Sequence, residues 1–376
     1  MRLIVVGGGI VGAACAYTAS NLGAQVTLID AGRDGQATAA GAGIICPWSD
    51  PAPEPARYAL ACAAAREYPA LVAELAERGE PDVSYRQVGA LLLPGSGELA
   101  EAALGRLAER HAATPEMGSV RLLSGAQARE LFPPLGPVPA AVHIAGAARV
   151  DGRRVAAALT HAAVRLGAVV RPGEAELALG GAGRVTGARV GGELIEADAV
   201  VAATGAWTGS FLAAAAPAAG VLAAGVLAAG VTPERGQIAH ISLAPADTSR
   251  WPVILPGDTG HYLLAFDDSR VVAGATREPD AGFDYRVTPA GLAEVLGEAL
   301  ALAPGLGAGQ YLETRVGFRP VAARPLLGPV PGVAGLFVAT GLGANGLTMG
   351  PYSGFLVARA ALGESVPVDL TPFAPG

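Results

Sequence analysis

The chain has 376 residues, 51% of them hydrophobic and 16% charged, enough to fill a large core and to make two domains the expectation. Its 26 Lys and Arg stand against 33 Asp and Glu, a net charge of -7 with no basic run, which argues against a nucleic-acid partner. Cys15, Cys46 and Cys62 show no metal-type spacing and form an odd set, so they read as small buried hydrophobes and not as a disulfide framework. The five histidines are scattered without an HxH or HxxxH pair, so metal chemistry is not indicated. Met1-Arg2-Leu3-Ile4-Val5-Val6 runs straight into glycines and lacks a signal-peptide pattern, which predicts a cytoplasmic protein.

Residues 3–6 form a short apolar run ending in Gly7-Gly8-Gly9. A small-residue helical stretch follows over 10–22, and a second run over 25–29 ends at Asp30, giving a strand-helix-strand opening. Apolar runs at 168–170, 197–203 and 336–339, each ending near glycine, read as further buried strands of the same parallel sheet. Segments 85–93, 237–243, 260–266 and 270–275 mix apolar and polar residues between turn signals and predict a second, antiparallel sheet. The two kinds interleave, so each domain must be assembled from several pieces. One is expected from 1–80, 141–225 and 317–376, the other from 81–140 and 226–316.

The uncharged stretch 211–231 repeats an Ala-Ala-Gly-Val-Leu unit with a five-residue period. Its length alone would suit a membrane helix. It is mainly Ala and Gly, contains Pro217, and its period matches neither helix nor strand, so it reads as a helix end extended by a repeat-expanded loop.

Gly7-Gly8-Gly9-Ile10-Val11-Gly12 places GxGxxG between a strand and a helix, with Asp30 closing the next strand. Gly7 allows the tight turn, Gly9 lets a pyrophosphate approach the backbone, and Gly12 permits close helix packing. The helix start supplies N–H groups and a positive dipole end, and Asp30 stands where the adenosine ribose hydroxyls would bond. The pattern predicts dinucleotide binding and leaves NAD and FAD both open.

Further blocks separate them. Arg33, the turn Thr38-Ala39-Ala40-Gly41-Ala42-Gly43-Ile44, and Val201-Ala202-Ala203-Thr204-Gly205-Ala206-Trp207-Thr208 resemble the amino-acid-oxidising branch of FAD proteins. This is the family of D-amino-acid oxidase, glycine oxidase, sarcosine oxidase and D-amino-acid dehydrogenase. The resemblance continues through Gly236-Gln237-Ile238, Gly260-His261-Tyr262-Leu263, Gly274-Ala275-Thr276 and Gly317-Phe318-Arg319-Pro320. It ends at Thr340-Gly341-Leu342-Gly343-Ala344-Asn345-Gly346-Leu347-Thr348-Met349-Gly350, so nearly the whole chain follows the family's order.

The resemblance implies an α/β fold like that of D-amino-acid oxidase: a Rossmann-like FAD-binding domain with a second, mainly antiparallel substrate domain. It implies FAD contacts from Gly7, Gly9, Ile10, Val11, Gly12, Asp30, Arg33, Thr38, Ala42, Gly43, Ile44, Thr204, Gly205, Trp207, Gly343, Asn345, Gly346, Leu347 and Thr348. The terminal glycines let a loop approach a flat ring ahead of a helix over 348–362. The start of that helix would face the flavin edge where negative charge develops on reduction.

For the substrate, the resemblance puts Arg319 over the flavin, where its planar fork matches a carboxylate, and gives Tyr262 the same carboxylate. Arg319 could instead be a structural ion pair with an acid between domains, and Tyr262 a core or rim residue. Arg324 reads as a surface-loop residue and Trp48 as an ordinary core tryptophan. Two departures matter. Glycine oxidase-like sequences carry a second arginine where this chain has Gly343-Ala344-Asn345, which opposes strict glycine specificity. The sarcosine oxidase branch bonds its flavin through a cysteine near the Gly317–Pro320 motif, whereas no cysteine here follows Cys62, so FAD is expected to be non-covalent.

The expected reaction is hydride transfer from the Cα of a D-amino acid or a glycine-like substrate to flavin N5. It gives an imino acid and then a 2-oxo acid and ammonia, with oxygen or an electron carrier as the final acceptor. Positioning carries the catalysis, and no acid-base side chain is required. The alternatives are an N-alkylated or cyclic amino acid (sarcosine-like or proline-like), a 2-hydroxy acid, a flavin-binding subunit without turnover, and an NAD-dependent dehydrogenase.

Overall fold

The computed structural model describes residues 1–219, 230–257 and 259–376. A six-stranded sheet runs in the order Leu326–Pro329, Leu336–Thr340, Ala199–Ala202, Arg2–Val6, Gln25–Asp30 and Val169–Pro172. Every neighbouring pair is parallel except the first. Leu3 to Val5 and Val200 to Ala202 are fully enclosed, as their unbroken apolar runs require when helices cover both faces of a sheet.

The first helix, Ile10–Asn21, is buried on nearly all sides, so its small residues decide how closely its neighbours approach. The terminal helix, Gly346–Ala361, lies against it. A Cβ on Gly354 would stand 2.3 Å from the Val11 carbonyl, and one on Gly350 2.7 Å from Ile10 Cγ2. Glycine at these two positions lets the helices touch backbone to side chain. Each helix leaves the carboxyl end of its own parallel strand, so both starts open at one end of the sheet.

An eight-stranded sheet forms the second layer system. Its order is Gln310–Val321, Thr232–Ser242, Arg270–Gly274, Tyr262–Ala265, Val253–Pro256, Ala90–Leu93, Ala140–Ile144 and Val120–Ser124. All pairs are antiparallel except Val253–Pro256 with Ala90–Leu93. The strands Ala140–Ile144 and Gln310–Val321 run across the expected boundaries at 140 and 316. Of the alanine-rich segment, Thr208–Ala219 is helical, and 220–229 lies outside the described residues. No helix among the described residues is long and apolar enough to cross a membrane.

The two sheets share one hydrophobic cluster, and one strand links them through the backbone. The Phe318 amide donates to the Gly35 carbonyl at 2.9 Å, and Gln36 pairs with Phe318 as an isolated parallel bridge. Gly35, at φ +78°, has no Cβ where the Phe318 ring lies 2.2 Å away, and a Cβ on Gly317 would meet Ala40 Cβ at 2.6 Å. The arginine motif is thereby stitched to the segment that follows Asp30.

Candidate functional site

A cavity of about 540 Å³ opens at the carboxyl ends of the parallel strands, where the connections following all five of them converge beneath the eight-stranded sheet. Open α/β sheets bind ligands at this end because the strand-to-helix turns leave backbone N–H groups pointing outward there.

At the nucleotide end, Gly7 takes φ +106°, and a Cβ there would lie 2.3 Å from the Ala203 carbonyl. Gly9 caps the first helix with extended backbone and no side-chain cap, and a Cβ on it would come within 3.2 Å of Thr38 Oγ1. That hydroxyl accepts from the Ile10 amide at 3.0 Å, which locks the expected Thr38 against the helix start. Gly7, Gly9, Ile10, Val11, Asp30, Arg33 and Thr38 all line the cavity. Gly12 does not: its missing Cβ would stand 1.8 Å from the Gly7 carbonyl, so it supports the loop from below.

Asp30 accepts from the Gly32 amide and from Gln36 Nε2, each at 3.2 Å, with Gly8 packed close beside its carboxylate. Asp30→Ala is expected to weaken FAD binding by roughly 1 to 3 kcal/mol, the usual effect of unpairing a polar contact, without altering the order of substrate preference. Titrating apoprotein with FAD checks this. An unchanged affinity would leave Asp30 only its Gly32 and Gln36 contacts.

Trp207 stacks on Phe283 at 5.1 Å between ring centres and meets Phe318 edge-on at 5.9 Å. The Arg33 guanidinium lies 5.7 Å from the Trp207 ring centre and pairs with Glu174 at 2.8 Å. Thr204 and Thr208 share a hydroxyl hydrogen bond of 3.0 Å, and the Gly205 carbonyl accepts from Thr340 Oγ1 at 3.0 Å. These bonds tie two strand ends together under the cavity.

On the ring side, Gly43 takes φ +101°, and its Cβ would collide with the Val150 carbonyl at 1.8 Å, so the Ala42-Gly43-Ile44 turn can lie flat only with glycine in the middle. Thr348 Oγ1 donates to the Ile44 carbonyl at 3.0 Å, and the Tyr68 hydroxyl donates to the Leu347 carbonyl. Asn345 gives the terminal helix no side-chain cap, so its opening amides stay available beside Gly343, Gly346, Leu347 and Thr348, all of which line the cavity. Uncapped amides at a helix start stabilise a neighbouring negative charge.

The residues expected to meet the substrate, Arg319 and Tyr262, come from the other sheet. Glu234 faces Arg319 and Gly236 faces Gly317 across one strand pair, while Ile238 and Tyr262 both face Gly274. Directly opposed residues share a face, which places Glu234, Gly236, Ile238, Arg319 and Tyr262 together above the cavity. The glycines make the room. A Cβ on Gly236 would be 2.5 Å from Arg319 Nη2, and one on Gly274 2.5 Å from the Tyr262 oxygen.

Arg319 Nη1 donates to Glu234 Oε1 at 2.9 Å and to the Thr276 carbonyl at 3.0 Å. The ion pair raised as an alternative therefore exists, and the same arginine also lines the cavity. Burial pushes the Tyr262 phenol up, against the opposing pull of the Arg319 and Arg277 guanidinium groups, so it stays a hydrogen-bond donor at neutral pH.

Glu234 and Arg277 were not singled out in the sequence. Arg277 directly follows the Gly274-Ala275-Thr276 block, and Glu234 precedes Gly236 by one strand period. Alternation along that strand was the signal for Glu234. Arg324 is exposed and donates to the Ala374 and Gly376 carbonyls, and Trp48 is a buried core residue. Cys46 lines the cavity with its thiol pushed up to about 12 by burial, hence protonated at neutral pH. A second cavity of about 460 Å³ shares Cys46, Ser49, Leu255, Gly260, Tyr262 and Asn345 with the first.

A dinucleotide-type strand-loop-helix unit beneath a sheet that presents an arginine and a phenol is an arrangement suited to an oxidoreductase with a nucleotide cofactor. The chain belongs to the FAD dependent oxidoreductase (DAO) family, whose model matches residues 2–360. The ambiguity between NAD and FAD is thereby resolved in favour of FAD, and the uncapped loops described above fit it. The chain is 42% identical over 375 residues to the uncharacterized oxidoreductase YurR of Bacillus subtilis, covering 99% of this chain and 98% of that one. It is similar to the crystal structure of iminodiacetate oxidase from Chelativorans sp. BNC1, with a TM-score of 0.93 and 44% identity, over 100% of this chain and 99% of that one. Glycine oxidase from Geobacillus kaustophilus superposes with a TM-score of 0.84 at 27% identity, over 100% and 98% of the two chains.

Proposed function

We propose that this FAD-dependent enzyme oxidises a C–N bond of a small amino acid whose carboxylate is held by Arg319 and Tyr262. The observation that carries this reading is the shared sheet face that sets both groups above the cavity. Arg319 commits one edge of its guanidinium to Glu234 and Thr276, and that fixes the direction of the other. Tyr262 adds a neutral donor, so the carboxylate is gripped without a second full charge at that point. The grip aims the substrate Cα–H toward the loop that ends in Gly343 and Asn345.

Bound FAD supplies the two-electron acceptor. The substrate nitrogen must be neutral for its lone pair to assist, and the product imino acid hydrolyses in water to a 2-oxo acid and ammonia, or an amine if the nitrogen is substituted. Nothing in this scheme asks a side chain to shuttle a proton, so positioning is the chain's main contribution. Oxygen or an electron carrier then takes the electrons.

A second reading, an N-substituted amino acid, is supported by the likeness to iminodiacetate oxidase and by the absence of an arginine at Gly343-Ala344-Asn345. We place FAD on the six-stranded unit and the substrate on the eight-stranded one, and we read the FAD as non-covalent, a reading supported by the lack of any cysteine near the Gly317–Pro320 motif. Three buried, unbridged cysteines support a reducing compartment, the cytoplasm.

The test is an anaerobic screen of D- and L-amino acids, glycine, sarcosine, proline and iminodiacetate, following the flavin absorbance of purified protein. Bleaching by one or more amino acids is expected. Bleaching by 2-hydroxy acids alone, or by no compound, would overturn the reading.

A further inference from the structure

Arg277 has no part in the reaction described above, yet it lines the same cavity as Arg319 and Tyr262. Its Nη1 donates to Glu234 Oε1 at 3.1 Å, the oxygen that Arg319 Nη1 reaches at 2.9 Å. One carboxylate therefore holds two guanidinium groups side by side. The Glu234 side chain is 14% exposed and that of Arg277 56%, so the tether is enclosed while the second arginine keeps open donors.

The donors point to the substrate. Glu234 takes only Nη1 of each arginine, so each guanidinium keeps further donors, and two such groups side by side match a substrate with two carboxylates better than one with a single carboxylate. No arginine occupies Gly343-Ala344-Asn345 to offer a rival second anchor.

We propose that Arg277 selects a second carboxylate on the substrate and that Glu234 positions it beside Arg319. The inference rests on the reading that Arg319 takes the first carboxylate. The second acid group could sit on the nitrogen, as in iminodiacetate, or on the Cα side chain, as in aspartate. Both present the same chemistry to Arg277.

The test compares kcat/KM for anaerobic flavin reduction, per bound flavin, by iminodiacetate, D- and L-aspartate and sarcosine, in the wild-type holoenzyme and in Arg277→Met. The wild type is expected to prefer a diacid to sarcosine, and the better diacid tells which atom bears the second group. In Arg277→Met the diacid-to-sarcosine ratio is expected to fall roughly 30-fold, mainly through KM, in line with the loss of a charge-assisted hydrogen bond. Arg277→Lys should restore part of it. A merely structural role would lower both substrates together and leave the ratio unmoved, which would overturn the inference. A wild type with no diacid preference would overturn it too, while reduction by sarcosine or proline would leave the carboxylate grip of Arg319 standing. Reduction by no amino acid at all would remove both.

Discussion

Gly9→Val is expected to yield folded protein without FAD. Gly9 has φ -66°, which any residue can adopt, so valine brings no backbone strain and the parallel sheet should form as before. The obstacle is space. A Cβ there already stands 3.2 Å from Thr38 Oγ1, and the two methyls beyond it would fill the ground over the first helix where a pyrophosphate must approach the amides. Because Thr38 is bonded to the Ile10 amide, it cannot retreat without giving up that bond. The measurement is the flavin-to-protein absorbance ratio alongside circular dichroism. Full FAD occupancy would mean that the phosphates lie elsewhere, and loss of the fold would mean that Gly9 serves packing.

The second large effect concerns Arg319. Lysine keeps the charge, but it cannot present a planar fork, so a carboxylate held there loses both affinity and aim. The change is expected to cost about 2 to 5 kcal/mol in kcat/KM for an amino acid, with KM and kcat both affected and FAD content near normal. An arginine that served only the Glu234 ion pair would behave otherwise. Its loss would release Glu234 and the Thr276 carbonyl, lowering stability or flavin content along with activity. Measuring occupancy and flavin reduction rate on one Arg319→Lys sample separates the two. Wild-type reduction at full occupancy would remove the main reason for a carboxylate-bearing substrate.

The parallel sheet was legible because strands covered on both faces spell themselves as apolar runs, and those at 3–6, 199–202 and 336–339 each run into a glycine turn. The 23-residue helix Pro55–Glu77 was not, since its buried stripe is built in good part of alanines, which give a weak apolar signal, and it is held by tertiary contacts and a Glu54 cap. Strand Val120–Ser124 hides for a related reason: it stands at an edge of its sheet and exposes Leu122. The expected boundaries at 140 and 316 fall inside strands, because a strand ends where its pairing ends, and Gln310–Val321 carries its pairing through the arginine motif. Glu234 shows a different limit. That it lies opposite Arg319 follows from the register of two strands about eighty residues apart in sequence, and local pattern does not encode register between distant strands.

The stitch between Gly35 and Phe318 is a physical route between two proposed sites: it joins the backbone that carries Arg319 to the turn that leads to Thr38. Linkage is reciprocal. If occupancy at Arg319 tightens the grip on FAD by some factor, FAD must tighten the grip on that substrate by the same factor, and a change at Gly317 should be read in two affinities at once.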